Sequence, residues 1–189
     1  MSNGIFQFVL AAIKDPRSVS TPFPTLKFLA QSLIKHSTLS QEHKVLELGC
    51  GSGAITKHIL ESGPHASYLG VEISSDLISY LQKAYPDNTF IKASADNLEG
   101  YVEDESIDVI ISSLPWTMFS EAVQEAIIKE ITRVLKPGGS FVTFLCLHAL
   151  PLPSASRAQK LFKKHFSSFE YCESISRNIP PANVYKAVK

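Results

Sequence analysis

From Lys44 onward, short apolar runs alternate with stretches whose apolar residues recur at helical spacing. The runs at 44–49, 67–73, 88–92, 107–113 and 140–147 are rich in Val, Ile, Leu and Phe and short enough to predict strands. Ala54 to Leu60 reads as a helix between the first two. Ser74 or Ser75 caps a helix that buries Leu77, Ile78 and Leu81 and ends before Pro86. Ser120 caps a longer helix, buried through Val123, Ala126, Ile127, Ile131, Val134 and Leu135 and stopped at Lys136-Pro137-Gly138-Gly139. A further helix is expected near Ser154 to His165, followed by two strand-length runs, Phe169 to Ile175 and Asn183 to Val188. Alternation of this kind is the signature of parallel βαβ units in an α/β fold.

Ahead of this pattern lie two helical stretches. Thr25 to Ile34 is amphipathic, with Leu26, Leu29, Ala30 and Leu33 on one face. Gly4 to Lys14 carries Ile5, Phe6, Val9, Leu10 and Ile13 as one apolar stripe, which must dock on the domain or lie in a membrane interface. The chain therefore reads as an N-terminal helical segment, residues 1–44, that contacts a membrane or covers the substrate, and one domain, residues 45–189.

Charge changes this picture more than composition does. The 189 residues carry no net charge, but residues 1–44 hold five Lys/Arg and two Asp/Glu, residues 45–150 six and fourteen, and residues 151–189 seven and two. Basic ends around an acidic middle suggest a polyanionic partner, an anionic membrane or a nucleic acid. Three scattered cysteines, Cys50, Cys146 and Cys172, predict neither a disulfide framework nor a zinc site and fit a reducing, cytoplasmic setting. No apolar run reaches the roughly 20 residues that span a bilayer, and the first residues lack the features of a signal peptide.

The candidate chemistry centres on Glu47-Leu48-Gly49-Cys50-Gly51-Ser52-Gly53. Glycine at every second position lets the backbone take positive φ and lets a ligand approach where a Cβ would stand. The helix beyond offers N–H groups to polar ligand atoms. The spacing Glu-x-Gly-x-Gly-x-Gly differs from the G-x-G-x-x-G of dinucleotide-binding loops. It resembles motif I of the class I S-adenosylmethionine (SAM) dependent methyltransferases.

That resemblance implies a doubly wound, Rossmann-like sheet, mostly parallel with an antiparallel C-terminal hairpin strand and helices on both faces. It implies SAM as cofactor, held at Glu47, Gly49, Cys50, Gly51 and Gly53. Glu72 ends the next apolar run, where its carboxylate would take the ribose hydroxyls, with Ile73 beside it. Ser94 and Ala95 stand where the family reads Gly-Asp-Ala; either Ser94 or Asp96 would then accept from the adenine amino group. The Leu135-Lys136-Pro137-Gly138-Gly139 turn is also common in the family.

The fourth strand end reads Ser112-Ser113-Leu114-Pro115-Trp116. DNA and rRNA adenine methyltransferases carry Asn or Asp at the position of Ser113, and serine is a poorer acceptor for a planar exocyclic amine. Together with Asp15-Pro16-Arg17 and Arg177-Asn178-Ile179-Pro180-Pro181-Ala182-Asn183-Val184-Tyr185, this motif is similar to the bacterial phosphatidylethanolamine N-methyltransferases. The resemblance implies Leu114, Pro115, Trp116 and Tyr185 on the acceptor side and Ser113 against the cofactor. Aromatic faces from Trp116, Phe119 and Tyr185 would hold a methylated cation. A protonated amine must first lose a proton, for which His148 is a weak candidate base. The expected partners are a phospholipid substrate and an anionic membrane surface touched peripherally, with no nucleic acid and no metal. An RNA adenine N6-methyltransferase, a small-molecule N-methyltransferase and a SAM-binding protein without activity are the competing readings.

Overall fold

In the computed structural model residues 24–189 are described, and the apolar stripe at Ile5 to Ile13 lies outside them. Five helices and seven strands follow in the order α1 (Pro24–Ser37), β1 (Lys44–Leu48), α2 (Thr56–Glu61), β2 (Ser67–Glu72), α3 (Ser75–Ala84), β3 (Thr89–Lys92), β4 (Ile107–Ser112), α4 (Glu121–Val134), β5 (Leu135–Cys146), α5 (Pro153–His165), β6 (Ser168–Ile175) and β7 (Ala182–Val188). Short 3-10 turns at Trp116–Met118 and Leu147–Ala149 follow β4 and β5. The strands form one sheet in the order β3-β2-β1-β4-β5-β7-β6. The first five are parallel, and β7 runs antiparallel to both β5 and β6. This is the doubly wound sheet with an antiparallel C-terminal hairpin.

Local chemistry sets the helix starts. Ser74 accepts from the Leu77 N–H and Ser120 from the Val123 N–H, each satisfying one orphan donor of the first turn. Two apolar layers then close on the sheet. Leu29, Ala30 and Leu33 of α1, Ile55 and Ile59 at α2, and Ile78 and Leu81 of α3 cover one face. Ile127, Ile128, Ile131 and Val134 of α4, with Leu161 and Phe162 of α5, cover the other. The α1 helix is thus packed on the sheet as one of its covering helices.

One expectation is corrected here. Lys136-Pro137-Gly138-Gly139 does stop α4, but it belongs to β5, which begins at Leu135. Ile107 pairs with Leu135 and Val109 with Ser140, so the intervening residues bulge out of the ladder. Gly139 is required there, because a Cβ would stand 2.9 Å from the Lys136 carbonyl oxygen and 3.1 Å from that of Asp108.

Candidate active site

The strand order reverses between β1 and β4, and ligands of such sheets sit outside the carboxyl ends at that point. Four segments meet there: the turn 49–53 after β1, Glu72-Ile73 after β2, 93–98 after β3 and 113–118 after β4. The first is held from several sides. Gly49 and Cys50 donate to the Val71 carbonyl at 2.9 and 3.2 Å, and Gly53 donates to the Cys50 carbonyl at 2.9 Å. Gly49, Gly51 and Gly53 have φ of 81°, 55° and 85°, which L side chains rarely adopt. A Cβ on Gly51 would meet only open space apart from the Gly49 carbonyl 4.0 Å away. The turn therefore leaves bare backbone for a ligand at Gly51, while Leu114 packs on Gly49 and Leu81 and Tyr85 pack on Gly53. The N–H groups of Gly49, Cys50, Gly51 and Gly53 are all engaged within the protein.

Glu72 joins two of the segments. Its Oε1 accepts from the Ile73 and Ser74 N–H groups at 2.8 and 2.9 Å, and its Oε2 accepts from the Gly51 N–H at 2.9 Å. A carboxylate has about four lone-pair directions, so three backbone bonds aim it while leaving capacity on the Gly51 side. Ile73 follows with half of its surface exposed. Ser94 caps the β3 end through a carbonyl that accepts from the Asn97 N–H at 3.0 Å, and Ala95 is buried against the core. Ser113 donates its hydroxyl to the Gly49 carbonyl, tying the β4 end to the glycine turn.

Glu47 and Cys50 act from beneath this surface. The expectation that they face the cofactor is corrected by their burial. Glu47 Oε2 accepts from Tyr68 at 2.5 Å and from Thr56 at 2.8 Å, while Oε1 has no partner among the described residues. The Cys50 thiol lies 3.7 Å from the Tyr68 hydroxyl and 3.8 Å from the Glu47 carbonyl. Period-two alternation puts Glu47 on the same face of β1 as Val45, under the layer of α1, α2 and α3. Burial pushes the Glu47 pKa up to about 7, against the opposing hydrogen bonds from Tyr68, Thr56 and Cys50. Between about pH 4.5 and 7 the unfolded chain has lost this proton and the folded protein keeps it. Stability then falls as pH rises through that window, by about 3 kcal/mol at about 1.4 kcal/mol per pKa unit. In Glu47→Gln this slope should vanish, so the stability difference between mutant and wild type changes across pH 5 to 8; parallel urea curves at both pH values would remove Glu47 as its source.

The acceptor side is corrected as well. Leu114 is half-buried and Pro115 exposed, but Trp116 and Tyr185 are buried. The Trp116 ring packs edge-on against Phe162 and Phe141 at 5.0 and 6.0 Å, and its N–H donates to Thr143 Oγ1 at 2.9 Å. Tyr185 pairs with Thr143 across the ladder, stacks on Phe169 at 5.4 Å and meets Tyr171 edge-on. Neither ring has a face open to an acceptor. Phe119, only partly buried, sits edge-on to Trp116 at 6.4 Å.

A residue without sequence signal holds this loop. Gln124 is fully buried and donates to the Trp116 carbonyl at 2.6 Å and to the Ser154 carbonyl at 3.1 Å, while its oxygen accepts from Arg157 at 3.2 Å. Ser154 in turn donates to the Thr117 carbonyl at 2.8 Å. The 3-10 turn is thereby clamped to the start of α5. Among the described residues no group of His, Cys, Asp or Glu is placed to hold a metal.

A glycine turn with open backbone, a carboxylate aimed at it from β2 and a doubly wound sheet define a class I SAM-dependent methyltransferase. Residues 45–139, half of the chain, match the family described as methyltransferase domain, and the chain belongs to that family, with SAM as its cofactor. An ornithine lipid N-methyltransferase of Singulisphaera acidiphila is 25% identical over 95% of this chain and 93% of its own length. A demethylmenaquinone methyltransferase of Thermotoga maritima is 32% identical over 52% of this chain, which spans only 42% of that protein. The crystal structure of a putative SAM-dependent methyltransferase from Methanococcus maripaludis superposes with a TM-score of 0.70 at 16% identity, covering 93% of this chain and 91% of its own.

Proposed function

We propose that the chain is a SAM-dependent N-methyltransferase acting on the amino headgroup of a membrane lipid, phosphatidylethanolamine or its methylated forms, from the membrane surface. The observation that carries this reading is the near end-to-end match with a lipid N-methyltransferase, which includes the termini outside the family's common domain. The resemblance of Leu114-Pro115-Trp116 and of residues 177–185 to phosphatidylethanolamine N-methyltransferases points the same way. Base methylation is less favoured, because a serine hydroxyl tied to the Gly49 carbonyl stands at position 113 in place of the Asn or Asp side chain that would accept from a planar amine.

SAM supplies a methyl group on a sulfonium, which is already a good leaving group. The chain's part is to orient and to keep water out. Glu72 would hold ribose hydroxyls, Ile73 would cover the adenine, and the turn at Gly49 to Gly53 would receive the amino acid end. Leu114 and Pro115 would border the lipid amine, which reacts once neutral.

Incubating the protein with labelled SAM and vesicles containing phosphatidylethanolamine, ornithine lipid, total RNA or small amines tests the assignment. Label is expected in the phosphatidylethanolamine fraction. Label in ornithine lipid alone would keep the lipid class and change the headgroup, and label only in RNA or in water-soluble amines would overturn the reading.

A further inference from the structure

We infer that Met118, Leu147, Leu152 and Ile179, with Phe28 beside them, form an apolar rim around the acceptor side that seats the protein on a lipid bilayer. The inference rests on the lipid-amine reading above and names the surface by which that substrate is reached.

Among the described residues Ile73 is exposed beside the cofactor side and Tyr80, Tyr101 and Tyr171 are exposed singly elsewhere, whereas five large apolar side chains are exposed on neighbouring loops. Met118 is 39% exposed, Leu147 38%, Leu152 46%, Ile179 77% and Phe28 36%. All five lie at the carboxyl edge of the sheet, where the site is. Met118 is in the turn after β4, Leu147 and Leu152 are in the connection from β5 to α5, and Ile179 is in the β6–β7 turn.

Hydrogen bonds make these loops neighbours. Ser154 Oγ donates to the Thr117 carbonyl at 2.8 Å, and Gln124 bridges the Trp116 and Ser154 carbonyls, which sets Met118 beside the start of α5 at Leu152. The Leu147 N–H donates to the Pro181 carbonyl at 2.8 Å, which joins the β5 end to the turn carrying Ile179. In that same turn the Arg177 guanidinium stands 5.3 Å over the Phe28 ring. The rim is thus continuous from Met118 through Leu152 and Leu147 to Ile179 and Phe28. Contiguous exposed apolar surface of this kind marks an interaction face.

The place where the chain enters selects the occupant. The end of α1 lies at the amino edge, where Ser140 Oγ approaches the Ser37 carbonyl, so α1 starts at the carboxyl edge next to Phe28. The start of α1, which residues 1–23 precede in the sequence, is therefore at this rim. Those residues carry Ile5, Phe6, Val9, Leu10 and Ile13 with Lys14 and Arg17, a composition suited to a membrane interface. Around the rim Lys27, His148 and Arg177 are exposed, while Glu121 is paired with Arg157. The basic end of α5 is elsewhere. Lys163, Lys164 and His165 precede Ser167, whose N–H bonds the Val188 carbonyl at the amino edge of the sheet.

The test uses the full-length protein, flotation with vesicles of phosphatidylethanolamine and phosphatidylglycerol, and turnover on two substrates, those vesicles and monomeric dihexanoyl-phosphatidylethanolamine. Leu152→Gln with Ile179→Gln removes apolar surface without adding charge. We expect vesicle partitioning and vesicle turnover to fall at least tenfold, with SAM affinity and turnover of the monomeric lipid within twofold of wild type. Lys163→Gln with Lys164→Gln should leave partitioning unchanged. Wild-type partitioning by the rim variant overturns the inference, as does loss of binding in the far-edge variant alone. Tighter vesicle binding after deletion of residues 1–23 would show that this segment covers the rim, and would overturn it too. If the wild-type protein labels no lipid in either form, the underlying reading fails; if it labels both and the rim variant matches it, only the rim fails.

Discussion

Trp116→Ala is expected to lower folding stability by about 3–5 kcal/mol, the range for truncating a buried large aromatic side chain. The ring is 1% exposed and fixed at three edges by Phe162, Phe141 and Phe119. Each edge-to-face contact contributes about 0.5–1.5 kcal/mol beyond the area it buries. The indole N–H also donates to Thr143 Oγ1, which donates onward to the Ser112 carbonyl at 3.1 Å. Alanine would leave a cavity between α4, α5 and the sheet that Phe141 and Phe162 fill only in part. Trp116→Phe keeps most of the volume and should cost about 1–2 kcal/mol, chiefly for the lost hydrogen bond and imperfect fit. Urea denaturation followed by circular dichroism decides the matter, since the protein has a single Trp and the mutants lose its fluorescence. An unchanged midpoint in the Ala variant would place the ring at the surface and restore the expected stack on the acceptor. Turnover should fall with stability, because the ring fixes the 3-10 turn to Thr143 and the Phe cluster, and only the backbone bond from Gln124 to the residue 116 carbonyl would remain.

Why the sequence located Trp116 but not its orientation is a matter of which contacts are local. A proline at a strand end says where the backbone turns. Which way the next side chain points was decided by Phe141 and Phe162, 25 and 46 residues further on. Glu47 is the same case. Its place before the glycines was legible, but the donors that keep it inside, Thr56 and Tyr68, come from the next helix and the neighbouring strand. Gln124 carried no signal, since a lone glutamine on a helix is ordinary until Trp116, Ser154 and Arg157 converge on it. By contrast, the strand-turn-helix around Gly49 to Gly53 and the capped starts of α3 and α4 are set within a few residues of chain. These are the parts that pattern and spacing specify.

Glu72→Ala is expected to weaken SAM binding by about 1–3 kcal/mol, or roughly 5- to 150-fold in Kd. Two losses combine. The ribose hydroxyls would lose charge-assisted acceptors, and the Gly51, Ile73 and Ser74 N–H groups would lose the carboxylate that now holds them at 2.8–2.9 Å. The second loss loosens the glycine turn against β2, so part of the affinity drop is the cost of ordering that turn when the ligand arrives. Glu72→Gln separates the two. Its carbonyl oxygen can still accept from the Ile73 and Ser74 N–H groups while the charge and the acceptor for Gly51 are gone, so it should retain more affinity than Ala and less than wild type. Calorimetry on folded protein measures this directly. An Ala variant with wild-type Kd would remove Glu72 from the site and leave the carboxylate a purely structural clamp between the β1 and β2 turns.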